Sequence, residues 1–176
     1  GSEMCIRDRV FKEKYIEWLK KYYYIGGMPE VVSTFIETND FQKIRKVQEN
    51  ILDAYTRDFS KHISSTGKLK IDLLWESIPS QLTQESKKFV YKKIKSGARA
   101  DEFEEALSWL INCGLVYKIN RITKPALPLK AYEDTKAFKL FILDVGLLSA
   151  LSKLPARTLI EGDKIFTEFN LSLIHI

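Results

Sequence analysis

The chain has 176 residues, enough for one domain or two small ones with a real buried core. Its 45% hydrophobic and 29% charged residues are those of a soluble globular protein, and no apolar run approaches the roughly 20 residues that span a bilayer. The net charge of +5 permits a nucleic-acid partner without demanding one.

Both ends read as translated adapter DNA. Met4-Cys5-Ile6-Arg7-Asp8-Arg9 can be encoded by ATG TGT ATA AGA GAC AG plus one base. The reverse complement begins CTG TCT CTT ATA CAC AT, which reads Leu171-Ser172-Leu173-Ile174-His175 and then permits Ile176. Such inverted copies are similar to a transposase recognition end used to build sequencing libraries, and Gly1-Ser2-Glu3 fits the bases that precede it. Residues 1–9 and 171–176 are therefore expected to be artefact and are set aside before fold reasoning. Without them Cys113 and His62 each stand alone, which removes an internal disulfide and a zinc cluster of about four Cys/His ligands. Cys113 falls in an apolar helical pattern and is expected to be a small buried residue. His62 is expected beside the exposed carbonyls of a helix end. The lack of cysteine pairs points to a reducing compartment, most simply the cytoplasm.

Phe11, Tyr15, Trp18, Leu19 and Tyr22 recur at helical spacing among charged residues, which predicts an amphipathic helix. Gly26-Gly27-Met28-Pro29 stops it, and Pro29 suits the first turn of a short helix to about Glu37. The glycine pair is not a phosphate loop, because no Gly-Lys-Ser/Thr follows and no apolar strand precedes it. Asp40 can cap a long helix to about His62 with the stripe Phe41, Ile44, Val47, Ile51, Tyr55 and Phe59, and Ser64 to Gly67 reads as the exit loop. Ile71 to Ile78 predicts another helix, ended by Pro79, and Thr83 can cap a short one through Phe89. Ala100 to Cys113 is the clearest helix, with Phe103, Ala106, Leu107, Leu110 and Ile111 on one face and Gly114 at its C-terminus. Alternation over Leu115 to Asn120 predicts a strand; Leu129 to Tyr132 can pair back, and Phe138 to Leu143 is a further apolar strand. Asp144 can cap a last helix bearing Val145, Leu147, Leu148 and Leu151.

The expected fold class is mainly α with a small β component: a helical segment followed by a winged helix-turn-helix, the order helix, short helix, helix, β-hairpin. In a DNA-binding winged helix the helix before the hairpin enters the major groove. Here that helix carries Asp101, Glu102, Glu104 and Glu105, whose charge opposes phosphate binding and so argues against base readout there. The candidate nucleic-acid surface is instead the basic segment Lys87, Lys88, Lys92, Lys93, Lys95 and Arg99, interleaved with Phe89 and Tyr91. Lys118, Arg121, Lys124 and Lys130 on the hairpin can extend it. A solvated face on an ordinary domain is the plainer alternative. Arg57, near a helix end, is a candidate trans-acting arginine toward a nucleotide in a partner subunit; a salt bridge to Asp58 or Asp53 is the simpler expectation.

Several segments together resemble a known family: Tyr24-Ile25-Gly26-Gly27-Met28-Pro29-Glu30, Tyr55 to His62, Ile78-Pro79-Ser80-Gln81-Leu82, Lys88-Phe89 and Gly97-Ala98-Arg99. Ala106 to Leu110, Leu127 to Asp134, Phe138-Lys139-Leu140 and Leu143 to Leu148 complete the set. In this order they resemble the C-terminal half of prokaryotic AAA-type ATP-binding proteins, which pair a P-loop domain with a C-terminal domain of unknown function. The resemblance covers nearly all of Val10 to Asn170. It implies ATP and Mg for the full-length parent, bound by an N-terminal domain outside this chain, and therefore no catalytic, cofactor or metal residue here. It also implies a region similar to a restriction nuclease, beginning near Glu168 and cut off at Asn170; one carboxylate cannot hold a catalytic metal.

The expected segments are thus 10–66, a helical extension of the ATPase portion; 67–152, a winged helix; and 153–170, the start of a nuclease-like region. The expected function is a non-catalytic module coupling the ATPase, its partner in cis, to a protein or nucleic acid, with no membrane partner. The alternatives are a stand-alone DNA-binding winged-helix regulator and the remnant of a restriction-like nuclease. Tyr22, Tyr23 and Tyr24 are expected at an interface with the ATPase domain.

Overall fold

The computed structural model describes residues 2–59, 61, 64–82 and 88–159, with side chains from residue 11 onward. Among them the chain is mainly helical, with six α-helices and one two-stranded antiparallel hairpin. Packing divides it into two compact units, one formed by residues up to 50 with those from 144 onward, the other by residues 51–143. The cuts differ from the expected boundaries at 66/67 and 152/153 because the last helix packs with the first one, while the end of the third helix joins the core of the second unit.

In the first unit, α1 (Ser2–Ile25) is followed by α2 (Pro29–Thr38), the first half of α3 (Phe41–Phe59) and α6 (Val145–Leu151). Pro29 opens α2 and Asp40 caps α3, its carboxylate accepting from the Gln42 and Lys43 amides at 2.9 and 3.3 Å. The apolar stripe of α1 does not form its buried face. Phe11, Tyr15, Trp18 and Tyr22 are between 74% and 52% exposed, and full burial begins only at Tyr24 and Ile25. Among the described residues, then, the aromatic spacing marks a face of α1 that the unit leaves open.

Where α1 ends, it is held from three sides. The Gln48 amide, fully buried, donates to the carbonyls of Tyr24 (2.8 Å) and Ile25 (3.0 Å), and Ser149 Oγ lies 3.0 Å from the Tyr24 carbonyl. These supply acceptor groups at a helix end with the donors they lack. The Asp144 carboxylate accepts from the Leu147 amide (2.8 Å), capping α6, and from the Gly27 amide (2.7 Å). Arg45 donates to the Leu154 carbonyl at 2.8 Å and its guanidinium lies 4.4 Å from the Tyr24 ring centroid. Gly26, at φ 77°, passes the Asp144 carboxylate so closely that a side chain has no room. The glycine pair is thus a close-packed crossing with its Gly27 amide already bonded.

In the second unit, the end of α3 meets α4 (Ser65–Leu82), α5 (Ala100–Asn112), β1 (Val116–Ile122) and β2 (Glu133–Ile142). Phe59, Ile71, Leu74, Ile78, Phe103, Leu110 and Val116 form the core, and Phe59 sets its edge against Trp75 and Trp109 at 6.0 and 5.4 Å. Three expectations are corrected here. Ser64 to Gly67 is the start of α4, with Ser64 Oγ accepting from the Gly67 amide (3.2 Å) as an N-cap. Pro79 lies inside α4 and does not end it, because Ile78, Gln81 and their neighbours are buried and packing outweighs the lost backbone bond. Cys113 is exposed, since it falls at the end of α5 beyond the buried positions Phe103, Ala106, Leu107 and Leu110.

Gly114 closes α5 at φ 72°, with its amide on the Ile111 carbonyl (2.9 Å) and the Leu115 amide on that of Leu110 (3.1 Å), a Schellman ending. Leu115 and Val116 are both buried, but Tyr117 and Ile119 are each 56% exposed, so the apolar alternation does not mark a buried face along the strand. Leu129–Tyr132 is a 3-10 turn and not a strand, and β2 runs continuously from Glu133. Phe89 is not helical: its amide donates to the Phe138 carbonyl (2.7 Å), beside a 3-10 turn at Tyr91–Lys93. The expected cap at Thr83 and the environment of His62 lie outside the described residues. Helices followed by this hairpin give the second unit a winged-helix-like end.

Candidate nucleic-acid interface

The most chemically distinctive surface of the second unit is a groove of about 520 Å³ between the Lys88–Lys92 segment, α5 and β2. Its construction starts with Gln81, whose side-chain carbonyl accepts from the Val90 amide at 2.7 Å and so fixes the backbone entering the 3-10 turn. Phe89 then stacks on Phe138 with ring centroids 5.6 Å apart, and Tyr91 sets its edge to Phe89 at 5.2 Å. Phe89 and Phe138 are almost wholly buried, and Tyr91 is half-buried, so these rings make a floor more than a stacking platform.

Lysines rim this floor. Lys88 and Lys92 flank the Phe89–Tyr91 stretch, and Lys118 extends from β1 with its ammonium 4.4 Å from the Phe138 centroid. Lys136 comes from a bulge in β2: Asn120 pairs with Phe138 but Arg121 with Asp134, so Thr135, Lys136 and Ala137 have no partners in register. The Lys136 amide donates to the Asp134 carboxylate at 3.0 Å, which shapes the bulge. Ammonium groups on flexible stems above an apolar floor suit a ligand bearing several spaced negative charges.

The structure therefore gathers Lys88, Lys92 and Lys118 from the expected set and adds Lys136, which the sequence reading did not single out. Lys93 and Arg99 are exposed outside the groove. Lys95 is paired with Glu102 at 3.1 Å, Arg121 with Asp134 at 2.6 Å, and Lys124 lies 5.9 Å from the Tyr132 ring centroid. Lys87 and Glu168 lie outside the described residues. Arg57 is exposed in the last turn of α3, and Asp58 there bonds Lys61 at 2.6 Å. The outer face of α5 keeps its expected acidic character, with Asp101 and Glu105 exposed, while Glu104, also exposed, lines the groove. Among the described residues no helix is long and apolar enough to cross a membrane.

Tyr91 lines the groove, and Asp134 precedes the bulge that brings Lys136 to it; both titrate away from their ordinary values. Burial, and secondarily the charge of Glu104, pushes the Tyr91 hydroxyl above the ordinary tyrosine value, so it stays protonated at neutral pH. Arg121, by hydrogen bond, and then the Lys136 amide hold the Asp134 carboxyl below the usual aspartate range. A depressed folded value means the stabilisation is present above the unfolded value and is lost as pH falls through the folded one. The hairpin tip is accordingly expected to loosen below about pH 4. Amide NMR shifts over residues 119–136 followed against pH check this, and Asp134→Asn should abolish the transition.

The fold defines a class: a mainly helical protein whose second unit ends in a winged-helix-like hairpin. The family described as Domain of unknown function (DUF8612) matches residues 16–158, and the chain belongs to that family. This match carries no link to ATPases. No curated protein and no solved structure matches the chain.

Proposed function

We propose that the chain is a non-catalytic, winged-helix-like module of an AAA-type ATP-binding protein, and that it couples the ATPase to nucleic acid through the lysine groove. The observation that carries this reading is the convergence of Lys88, Lys92, Lys118 and Lys136 on one aromatic-floored groove. Four cations around one channel match a phosphodiester backbone, and counterion release supplies the driving force. The acidic α5 argues for backbone contact through the groove and against a recognition helix in the major groove of a duplex. ATP and Mg belong in this reading to the P-loop domain of the parent, since the chain has no Gly-x4-Gly-Lys-Ser/Thr motif.

The test is fluorescence anisotropy of the purified chain with labelled single-stranded and duplex DNA over a range of salt, beside an ATP-hydrolysis assay. The reading expects binding that weakens linearly in log salt and no ATP turnover. Salt-independent binding, no binding at low salt, or hydrolysis of ATP by the chain would sink it. A protein partner is the second reading, favoured by the exposed aromatic stripe Phe11, Tyr15, Trp18 and Tyr22 on α1.

A further inference from the structure

The lysine rim attracts any polyanion, but one residue of the same groove does not fit that role. Glu104 lines it from α5, and among the described residues it pairs with no lysine or arginine. A carboxylate beside a phosphate channel weakens backbone binding unless the ligand brings hydrogen-bond donors to it. An ionised carboxylate accepts through two oxygens and donates nothing. Tyr91 lines the same groove, and its hydroxyl keeps its proton and feels the charge of Glu104. The groove wall therefore presents a hydroxyl donor and a pair of acceptors.

Resting on the reading of this groove as a nucleic-acid site, we propose that Tyr91 and Glu104 make it selective for guanine in a single strand. Guanine carries an acceptor, O6, followed by two donors, N1–H and N2–H2, along its Watson–Crick edge. The hydroxyl of Tyr91 donates to O6 while the Glu104 carboxylate accepts from N1–H and N2–H2, and the lysines hold the flanking phosphates. Thymine offers acceptors on both sides of a single N–H, so its carbonyl oxygens face the carboxylate unfavourably. Adenine and cytosine bring one amino donor each beside a ring nitrogen acceptor. The Watson–Crick edge is free only in single strands, so the same wall also discriminates against duplex.

The experiment compares the full chain binding fluorescein-labelled alternating d(TG) and oligo-dT strands of equal length at one salt concentration. The expected result is tighter binding of d(TG) by about fivefold or more, the low end for one complementary base contact. Glu104→Gln replaces one acceptor by a donor and should bring the ratio below about twofold while oligo-dT binds as well or better. Tyr91→Phe, which keeps the ring contacts with Phe89 and Phe138, should lower the ratio without abolishing it. Equal binding of the two strands, or a preference that survives Glu104→Gln, overturns the guanine assignment while leaving the groove reading intact. Binding of neither strand overturns the groove reading itself. Circular dichroism checks that both variants fold.

Discussion

Gly146→Ala is expected to destabilise the chain by about 3 kcal/mol, among the largest effects of any single methyl group added to it. A Cβ at this position would stand 2.1 Å from the Ile25 carbonyl oxygen and 2.6 Å from the Gly26 nitrogen. Both are backbone atoms, so no rotamer change relieves the overlap; α1 and α6 must separate. Separation lengthens the part-buried Asp144 bond to the Gly27 amide and the buried Ser149 contact with the Tyr24 carbonyl, and the second of these satisfies a group with little access to water. For a chain of this length the loss corresponds to a fall in Tm of roughly 6–12 °C by circular dichroism. Gly114→Ala is the control: it meets open space and carries only the left-handed backbone cost, about 1 kcal/mol. Equal, small losses for both variants would show that α6 does not cross the end of α1 at this distance.

Removing the groove lysines is the second large effect. The triple variant Lys92→Ala, Lys118→Ala, Lys136→Ala is expected to weaken single-strand binding on the order of a hundredfold at low salt and to lower the log–log salt slope by about 2. None of the three side chains is buried, so the fold should survive. Net charge alone also predicts weaker binding, and the comparison that separates the two is Lys93→Ala, Lys95→Ala, Arg99→Ala. That variant removes the same charge outside the groove, including a lysine already held by Glu102, and should cost less than about fivefold. Equal losses from both triples, read by anisotropy across a salt series, would point to diffuse attraction and not to a groove.

Local signals made much of the fold legible. Asp40, Pro29, Gly114 and Asp144 stand where their chemistry puts helix ends, and each is found there. Distant partners were not legible. Gln48 bonds carbonyls more than 20 residues away, and Asp144 reaches Gly27 across 117 positions, so the reason two marker segments contain glycines emerges only when they meet. Pro79 misled because its local preference against helix is outweighed by burial of the turn around it. Leu129 to Tyr132 misled for a similar reason, an apolar alternation too short to outweigh a proline-led turn.

The candidate site was half legible. A basic run with interleaved aromatics marks Lys88 and Lys92, but Lys118 joins them through the hairpin and Lys136 through a register shift in β2 that no spacing rule announces. The same shift explains why Arg121 leaves the basic set: it is brought opposite Asp134 and pairs with it. The acidic residues of α5 were legible as such, but not Glu104 as a wall of the groove.

The most direct measurement is a titration of the isotopically labelled chain with an unlabelled d(TG) strand, followed by amide NMR. Shifts are expected at Lys88–Lys93, Lys118, Glu104 and Thr135–Phe138, with Tyr24–Gly27 and Gly146–Ser149 unmoved. Shifts confined to α1 or to the outward residues Asp101 and Glu105, with the groove silent, would contradict the account.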